Sequence, residues 1–282
     1  MKRLIVNGDD FGRNRSVNLG VTQAFDMGIL TSASLVANSL DFDFAISAGR
    51  VHPDLGVGVH LVLDEYAPIS AQSEIPSLLD ARGRFFSRSS MLLKILTGRI
   101  DRRHVATEWR AQIAKIVDAG ISPAHVDGHG HCHAYPGLAE IVVELAAKFG
   151  IRAIRLPREP LAHLGSGGAA LAGRYLGKAA LNASAHLLRS KCRSRIHCPD
   201  AFFGFMEGGR LTGSGLEKIC RSLRPGVSEL MAHPALDNAD APYGCGYQWR
   251  GDLDALLCHT KRSFEDAFDV KLVSYRNGWI DD

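Results

Sequence analysis

The amino-acid sequence predicts an α/β fold built on a parallel sheet that is either open or closed into a barrel. Short apolar or β-branched runs alternate with segments of helical periodicity, which is the pattern of repeated strand-helix units. The 282 residues are 46% hydrophobic and 22% charged, as in ordinary globular proteins. Barrels of this type commonly run to about 250 residues, so the length allows one large core, in one domain or in two small ones.

The elements are predicted in the following order. The first strand lies at residues 4–6, and a helix follows at residues 17–27, where Val17, Val21 and Ala24 share one face. Gly28 stands where the C-terminus of that helix is expected. Further strands are predicted at residues 30–37, 55–63, 125–127, 151–156 and 229–232, and further helices at residues 105–119, 138–149 and 215–223.

Residues 160–195 interrupt this alternation and predict a helical insertion. The segment is rich in Ala, Leu and Gly, contains no predicted strand, and carries a group of basic residues: Arg174, Lys178, Arg189, Lys191, Arg193 and Arg195. One interpretation is a helix that packs on the barrel with a solvated basic face. The other is a basic amphipathic surface that contacts anionic lipid or admits a lipid-linked substrate, which predicts peripheral membrane contact.

Composition narrows the possible partners and the compartment. A formal net charge of +3 does not predict a nucleic-acid partner, because phosphate recognition needs Lys and Arg gathered on one face. The first residues contain no apolar stretch of signal-peptide length, and no window is long and apolar enough to span a membrane, so a cytoplasmic location is expected. The 6 cysteines lack C-x-x-C spacing, which predicts reduced thiols. The oligomeric state is left open.

Side chains that can bind a metal or transfer a proton concentrate in four segments. These segments are residues 7–12, 58–61, 125–133 and 231–234. Each follows or ends a predicted strand, and the carboxyl ends of parallel strands form the active face of barrel and open-sheet enzymes. We therefore expect the four segments to converge in space.

The carboxylates of Asp9 and Asp10 are expected to have different roles. Adjacent side chains of an extended segment point to opposite sides, so one carboxylate can bind metal while the other accepts a proton. The alternative is a turn or a helix N-cap without chemistry. For His60, which lies in an apolar run, the alternative is a buried core histidine.

A row of histidines strengthens the metal interpretation. His129, His131 and His133 alternate as they would along the extended end of a strand, and such a row shares one face. Imidazole is the commonest protein ligand for zinc, and a catalytic site typically uses three protein ligands and leaves one position for water. The spacing does not indicate which of the three binds the ion.

Four blocks of this sequence resemble the YdjC/ChbG family of carbohydrate deacetylases, in the order of that family. They are Leu4-Ile-Val-Asn-Gly-Asp-Asp-Phe-Gly12 with its continuation to Asn38, Gly58-Val-His-Leu61, residues 125–136, and Met231-Ala-His-Pro-Ala235. The resemblance implies a distorted TIM-like (β/α) barrel with parallel strands, a single domain over residues 1–282 with the helical insertion at about 160–195, and one bound divalent metal ion. Gly8 stands where the family more often has Ala.

Matched residue by residue, the resemblance also implies roles for the site. Asp10, His60 and His129 correspond to the metal ligands, Asp9 to the general base, and His233 to the general acid. Asp127 is expected to orient a ligand histidine, and the pocket for the acetylated sugar is expected to be lined by His131, His133 and Tyr135. This ligand set does not distinguish Zn, Mg, Co, Ni and Mn.

Softer similarities point to one branch of the family. Residues 60–65, 74–80, 83–85 and 155–160 resemble the branch associated with hopanoid biosynthesis, often called HpnK, which implies deacetylation of an N-acetylglucosaminyl hopanoid. One alternative is a chito-oligosaccharide deacetylase. A second alternative is a non-catalytic protein that binds a glycan or lipid through its metal. A third, metal-dependent phosphoester hydrolysis, usually needs more carboxylate ligands or a second metal.

Overall fold

The computed structural model describes residues 1–163, 171–192, 196–239 and 247–279. Its strands form one curled parallel sheet in the order β4-β3-β2-β1-β6-β5, and β7 pairs with β1. The strands are β1 (Lys2–Phe11), β2 (Ser32–Leu35), β3 (Gly56–Leu61), β4 (Val126–Gly128), β5 (Ala201–Phe203), β6 (Gly226–Ala232) and β7 (Lys271–Leu272). The α/β fold with parallel strands is therefore confirmed.

The sheet continues past β4 only as isolated bridges. Ile154 pairs with Val126, and Ala153 pairs with His197, both in the parallel sense. The predicted strand at residues 151–156 is thus reduced to two bridging positions. Its backbone still lies beside β4, so the side chain of the next residue, Arg155, enters the interior enclosed by the curled sheet.

Helices surround the sheet. They are α1 (Arg15–Met27), α2 (Phe42–Val51), α3 (Arg88–Leu96), α4 (Arg102–Asp118), α5 (Ala139–Lys148), α6 (Leu171–Lys191), α7 (Gly213–Ser222), α8 (Trp249–Leu257) and α9 (Lys261–Phe268). Side-chain caps begin several of them: Asn14 accepts a hydrogen bond from the Val17 backbone N–H at the start of α1, and Thr212 caps α7 in the same way. The predicted helices near α1, α4, α5 and α7 are confirmed.

Alternation along β1 separates two sides of the sheet. Leu4 and Val6 pack with the helices in the main core, whereas Ile5 packs in a smaller cluster on the other side with Val227 and Tyr275. The same alternation continues toward the carboxyl end of β1, where the inward positions become polar. The interior is therefore apolar toward the amino ends of the strands and polar toward their carboxyl ends. The site described below lies at the polar end.

The predicted insertion contains the helix α6, which packs against α5. Of its described basic side chains, Arg189 is exposed, whereas the other three are buried or paired. Lys178 is 2% exposed, Arg174 donates to the Met206 carbonyl oxygen, and Lys191 pairs with Glu140 at 2.7 Å. The basic surface considered for residues 160–195 is therefore not formed by these three residues, because burial or pairing takes up their charges. Arg193 and Arg195 lie outside the described residues.

In the part of the chain that the structure describes, no helix is long and apolar enough to cross a membrane. The cysteines described there, Cys132, Cys192, Cys198, Cys220 and Cys258, are free thiols, as predicted. Cys245 lies outside the described residues.

Candidate metal centre and active site

A cleft of about 350 Å³ lies at the carboxyl ends of the central strands. Asp9 and Asp10 reach it from β1, His60 from β3, His129 from the residue after β4, and His233 from the residue after β6. The structure therefore brings together the four segments that the sequence analysis expected to converge. Parallel strands align their carboxyl ends, which explains how positions so distant in sequence meet.

Asp10, His60 and His129 form a group with metal-ligand spacing. One potential ligand atom from each lies within 4.8 Å of the others. His129 Nδ1 is 2.9 Å and His60 Nε2 is 3.6 Å from Asp10 Oδ1. All three side chains are buried. Two imidazoles and one carboxylate form a ligand set that leaves open positions on a catalytic metal ion.

The backbone at the end of β1 explains how both aspartates reach the cleft. The pairing of β1 with β2 shifts register between Gly8 and Phe11, and Asp10 adopts a left-handed conformation with φ of 63°. The expectation that Asp9 and Asp10 point to opposite sides was wrong, because this irregularity interrupts the alternation of an extended strand. A non-glycine residue at positive φ costs about 1–3 kcal/mol, and such strain is typical of functional sites.

The group fits a divalent cation. Asp10 Oδ1 is buried, and the ring nitrogens of His129 and His60 face it at 2.9 and 3.6 Å, so the three potential ligand atoms point at one position. Burial works to raise the pKa of Asp10, but the charges of His129 and His60 outweigh it and hold that pKa well below its usual value. Burial works to lower the pKa of His129, yet Asp10 and Glu65 raise it to about 10. The carboxylates around this position thus favour a bound positive charge. Either a proton on His129 or a metal ion can supply it.

His60 is held in the orientation that a ligand needs. Its Nδ1 lies 2.7 Å from Asp127 Oδ1, which leaves Nε2 facing Asp10. A carboxylate that accepts the second ring N–H fixes the tautomer and the ring angle of a ligand histidine. This is the position in which the sequence analysis expected Asp127.

Two neighbouring groups of acidic and histidine side chains each lie next to an arginine. In the group of Asp9, His60 and Asp127, both carboxylates pair with Arg155. In the group of Asp64, Glu65 and His129, both carboxylates pair with Arg88. In each case the guanidinium neutralises the carboxylates. Among these overlapping groups of the described residues, the set of Asp10, His60 and His129 is the one whose carboxylate has only histidines as close charged partners.

Arg155 is a functional residue that the sequence analysis did not single out. It is fully buried, and its Nη1 and Nη2 donate to the two carboxylate oxygens of Asp9 at 2.8 and 2.6 Å. Its Nη1 also lies 2.7 Å from Asp127 Oδ2, and its Nε donates to Glu229 Oε1 at 2.9 Å. The available signal was the presence of two arginines, Arg152 and Arg155, inside the predicted strand 151–156.

A chain of hydrogen bonds underneath the cleft connects the two aspartates of this network. Asn7 Nδ2 donates to Asp9 Oδ1 and to Ser34 Oγ, both at 2.8 Å. Ser34 Oγ donates to Asp127 Oδ2 at 2.8 Å and lies 3.0 Å from His125 Nε2. Burial lowers the pKa of His125 to about 3, so its ring is neutral and Nε2–H can donate to Ser34. The position of Asp9 is therefore fixed from two directions.

His233 lies in the cleft at the end of β6. Its backbone N–H donates to Asp252 Oδ2 at 2.8 Å, while its Nδ1 is buried and has no hydrogen-bond partner among the described residues. Burial lowers the pKa of His233, and the charges of Asp9 and Asp10 offset this only in part. Its ring stacks on Tyr247 with 6.0 Å between centroids.

The predicted extended row of histidines is not present. Residues His129–Ala134 form a 3-10 segment in which Gly130 and His131 have positive φ. The prediction of a shared face was wrong, because this left-handed pair turns the chain after His129. His131 lines the cleft, but His133 is fully buried, with Nε2 3.1 Å from the Arg155 carbonyl oxygen. Tyr135 lines a neighbouring cavity rather than the cleft.

Aromatic side chains that the sequence analysis missed form one wall of the cleft. Phe205 comes from the loop after β5, Tyr247 precedes α8, and Trp249 begins α8. Trp249 Nε1 is buried without a hydrogen-bond partner among the described residues, so it can donate to a bound molecule. Arg174 of α6 lines the same cleft. These residues lie in loops or at a helix end, where no periodic pattern marks them.

The chain is similar over most of its length to known proteins. The family model of the YdjC-like proteins matches residues 3–265. A protein of Geobacillus stearothermophilus named carbohydrate deacetylase is 30% identical over 275 residues, which are 96% of each chain. A Brevibacillus brevis protein of the same name is 41% identical over 149 residues, which are 53% of this chain and 57% of that protein.

A human protein named carbohydrate deacetylase is 30% identical over 277 residues, which cover 93% of this chain and 83% of that protein. A crystal structure of an Enterococcus faecalis V583 protein has a TM-score of 0.73 at 24% identity and covers 97% of both chains, which shows the same fold. The family model and the full-length relatives agree with the blocks identified in the sequence. The chain belongs to the family of YdjC-like proteins.

Proposed function

We propose that this protein is a metal-dependent carbohydrate N-deacetylase that hydrolyses the acetamide of an N-acetylglucosamine unit. The observation that carries the proposal is the group of Asp10, His60 and His129 in one cleft with Asp9 and His233. Relatives that match nearly the whole chain are named carbohydrate deacetylases, which supports the same activity.

An amide is hydrolysed when water becomes a better nucleophile, the carbonyl is polarised and the leaving amine receives a proton. A divalent cation held by Asp10, His60 and His129 supplies Lewis acidity for the first two requirements. Asp9 accepts the proton of the attacking water as general base. Arg155 donates to both oxygens of Asp9 and so fixes the direction of this carboxylate.

His233 delivers a proton to the sugar nitrogen as general acid. Because burial lowers the pKa of His233, a proton on its ring is released readily to the amine that forms. The aromatic wall of Phe205, Tyr247 and Trp249 offers apolar faces to the sugar ring, and Trp249 Nε1 offers a donor to its oxygen atoms.

The proposed substrate carries this sugar on a hopanoid lipid. The similarity of residues 155–160 and the other branch-specific runs supports this choice. In addition, Leu176 and Leu187 of α6 are 75% and 51% exposed. They are eleven residues apart, which places them on one face of the helix. Arg174 of the same helix lines the cleft, and Leu176 follows it by roughly 200° around the helix axis, so an aglycone that contacts these leucines would have to pass over α6 from the cleft.

The test compares acetate release from two substrates, a soluble N-acetylated chito-oligosaccharide and an N-acetylglucosaminyl hopanoid in mixed micelles. We expect both to be deacetylated, the lipid with the higher kcat/KM. Asp9→Asn should lower turnover about a hundredfold on both substrates. Equal or better kcat/KM for the chito-oligosaccharide would favour the soluble alternative, and saturable binding without acetate release would favour a non-catalytic glycan-binding protein.

A matched variant tests the role of α6. Leu176→Glu should lower kcat/KM for the hopanoid substrate about tenfold, because it places a charge where the lipid is proposed to lie, and should leave the soluble sugar unaffected. Equal losses on both substrates would remove α6 from the proposed lipid contact.

A further inference from the structure

A second group with metal-ligand spacing lies outside the cleft. It consists of Glu159, in the segment that follows the bridge at Ile154, His163 in the same segment, and Glu207 in the loop after β5. We propose that these three residues bind a second divalent cation with a structural role, distinct from the ion proposed for Asp10.

The geometry leaves a carboxylate oxygen free on both glutamates. One potential ligand atom from each of the three residues lies within 4.8 Å of the others, and His163 Nε2 is 2.7 Å from Glu207 Oε1. Glu159 Oε1 accepts hydrogen bonds from the backbone N–H groups of Gly204 and Met206 at 3.0 and 3.4 Å. The Oε2 atoms of Glu159 and Glu207 are both buried and have no hydrogen-bond partner among the described residues.

The buried Oε2 atoms of Glu159 and Glu207 need a proton or a cation as a partner. Glu159 is 1% exposed and Glu207 is 4% exposed, so water does not solvate their carboxylates freely. A buried carboxylate oxygen without a partner is costly, and buried charges are generally paired or coordinate metals. The two glutamates therefore form a built site rather than an acidic surface patch.

The charge around this group differs from that around the arginine-filled groups near the cleft. The nearby cation is Lys178, whose Nζ donates to the carbonyl oxygens of His163 at 2.6 Å and Leu161 at 3.3 Å. One ammonium does not balance two carboxylates, and in the absence of a metal ion the second positive charge would have to be a proton on His163, whose pKa Glu207 raises against the effect of burial. The competing occupant is a proton on Glu159, because burial and the charge of Glu207 raise the pKa of Glu159 to about 7. A metal ion that binds here would displace that proton.

A cation at this position would hold in place a loop that lines the cleft. Glu207 is adjacent in sequence to Gly208, and both Gly208 and Phe205 line the cleft. The ion would join this loop to the segment of Glu159 and His163. One imidazole and two carboxylates suit zinc, manganese and similar ions. The group borders a cavity of about 1270 Å³, which provides an entry path.

The experiment counts zinc ions per chain. Purified protein is stripped with a chelator, reloaded with Zn²⁺, separated from free metal by gel filtration and analysed by inductively coupled plasma mass spectrometry. We expect two ions in the wild type, one in Asp10→Asn, one in Glu207→Gln and none in the double variant. His186→Ala is the matched control, because His186 lines the same cavity outside the group, and it should keep two ions.

Zinc retained in full by Glu207→Gln would overturn the proposal, and so would a wild type whose bound zinc is removed entirely by Asp10→Asn. If Glu207→Gln does not fold by circular dichroism, the comparison of wild type with Asp10→Asn still decides. The result is independent of the proposed activity, since a protein without deacetylase activity that loses one zinc ion with Glu207→Gln would still have this site.

Discussion

Replacing Arg155 by lysine should separate the orientation of the general base from its charge. The guanidinium makes a bidentate contact with Asp9 and reaches Glu229 with its Nε, in a fully buried position. Lysine keeps the positive charge but offers a single nitrogen, so it cannot make both contacts in the same geometry. We expect Arg155→Lys to fold with a positive charge still beside Asp9 but with the Asp9 carboxylate less firmly held.

The loss of stability and of kcat in Arg155→Lys follows from the hydrogen bonds that the substitution removes. A hydrogen bond to a charged group contributes about 1.5–3 kcal/mol, and the substitution loses at least two of the three that Arg155 donates. The free energy of unfolding should therefore fall by about 3–6 kcal/mol, against a total of about 5–15 kcal/mol for a typical domain. Because a misplaced base costs about a hundredfold in rate, kcat should fall by that factor while bound metal is kept.

The assay is acetate release in a double-mutant cycle with Asp9→Asn. If Arg155 acts through Asp9, then Arg155→Lys should lower kcat strongly in the wild type and hardly at all in the Asp9→Asn background. Metal content and chemical denaturation are measured in parallel to exclude unfolding or metal loss. Multiplicative losses in the double variant would refute the proposed coupling.

Three further predictions concern the metal, its effect on stability and the packing below it. Asp10→Asn should lose bound metal and activity together, whereas Asp9→Asn should keep the metal and lose turnover by about a hundredfold, as measured by elemental analysis and acetate release. Chelator treatment should lower the thermal midpoint of the wild type, since free zinc at a hundred times its Kd stabilises the folded state by about 2.7 kcal/mol. Gly58→Ala should lower the free energy of unfolding by about 1–3 kcal/mol or more, because its new Cβ would collide with the ring of His125. Gly173→Ala in α6 is the matched control, where a Cβ meets nothing within 4 Å and should raise stability by about 1 kcal/mol.

Each of these has a clear contrary result. Metal retained by Asp10→Asn would remove this carboxylate from the proposed ligand set. An unchanged thermal midpoint after complete chelation would mean that metal binding is not coupled to the folded state. Equal effects of Gly58→Ala and Gly173→Ala in denaturation experiments would contradict the close packing of β3 against His125.

The fold was predictable where hydrophobic periodicity is strong. The alternation of β1, α1, β2 and β3 is visible in the sequence, and it led to the parallel α/β fold. The strand expected at residues 151–156 was not formed as such, because its pairing is limited to two bridges. The short strand β5 was missed because three residues carry too little pattern to distinguish them from a loop.

The site was predictable where residue type and strand position agree. Residue type and strand position indicated the segments, the resemblance to the YdjC/ChbG family selected Asp10, His60 and His129 within them, and these three residues lie together at the ends of three strands. The outcome for His133 differs because a left-handed turn at Gly130 is a backbone feature that spacing does not reveal. The contact of Arg155 with Asp9 joins residues 146 positions apart, and no local pattern encodes such a pairing.

X-ray anomalous scattering from a crystal of the zinc-loaded protein tests the proposed metal centre most directly. Data collected on both sides of the zinc absorption edge should give a peak about 2.0–2.2 Å from the carboxylate of Asp10, from Nε2 of His60 and from one ring nitrogen of His129. A fully loaded crystal with no anomalous peak among these three side chains would contradict the account.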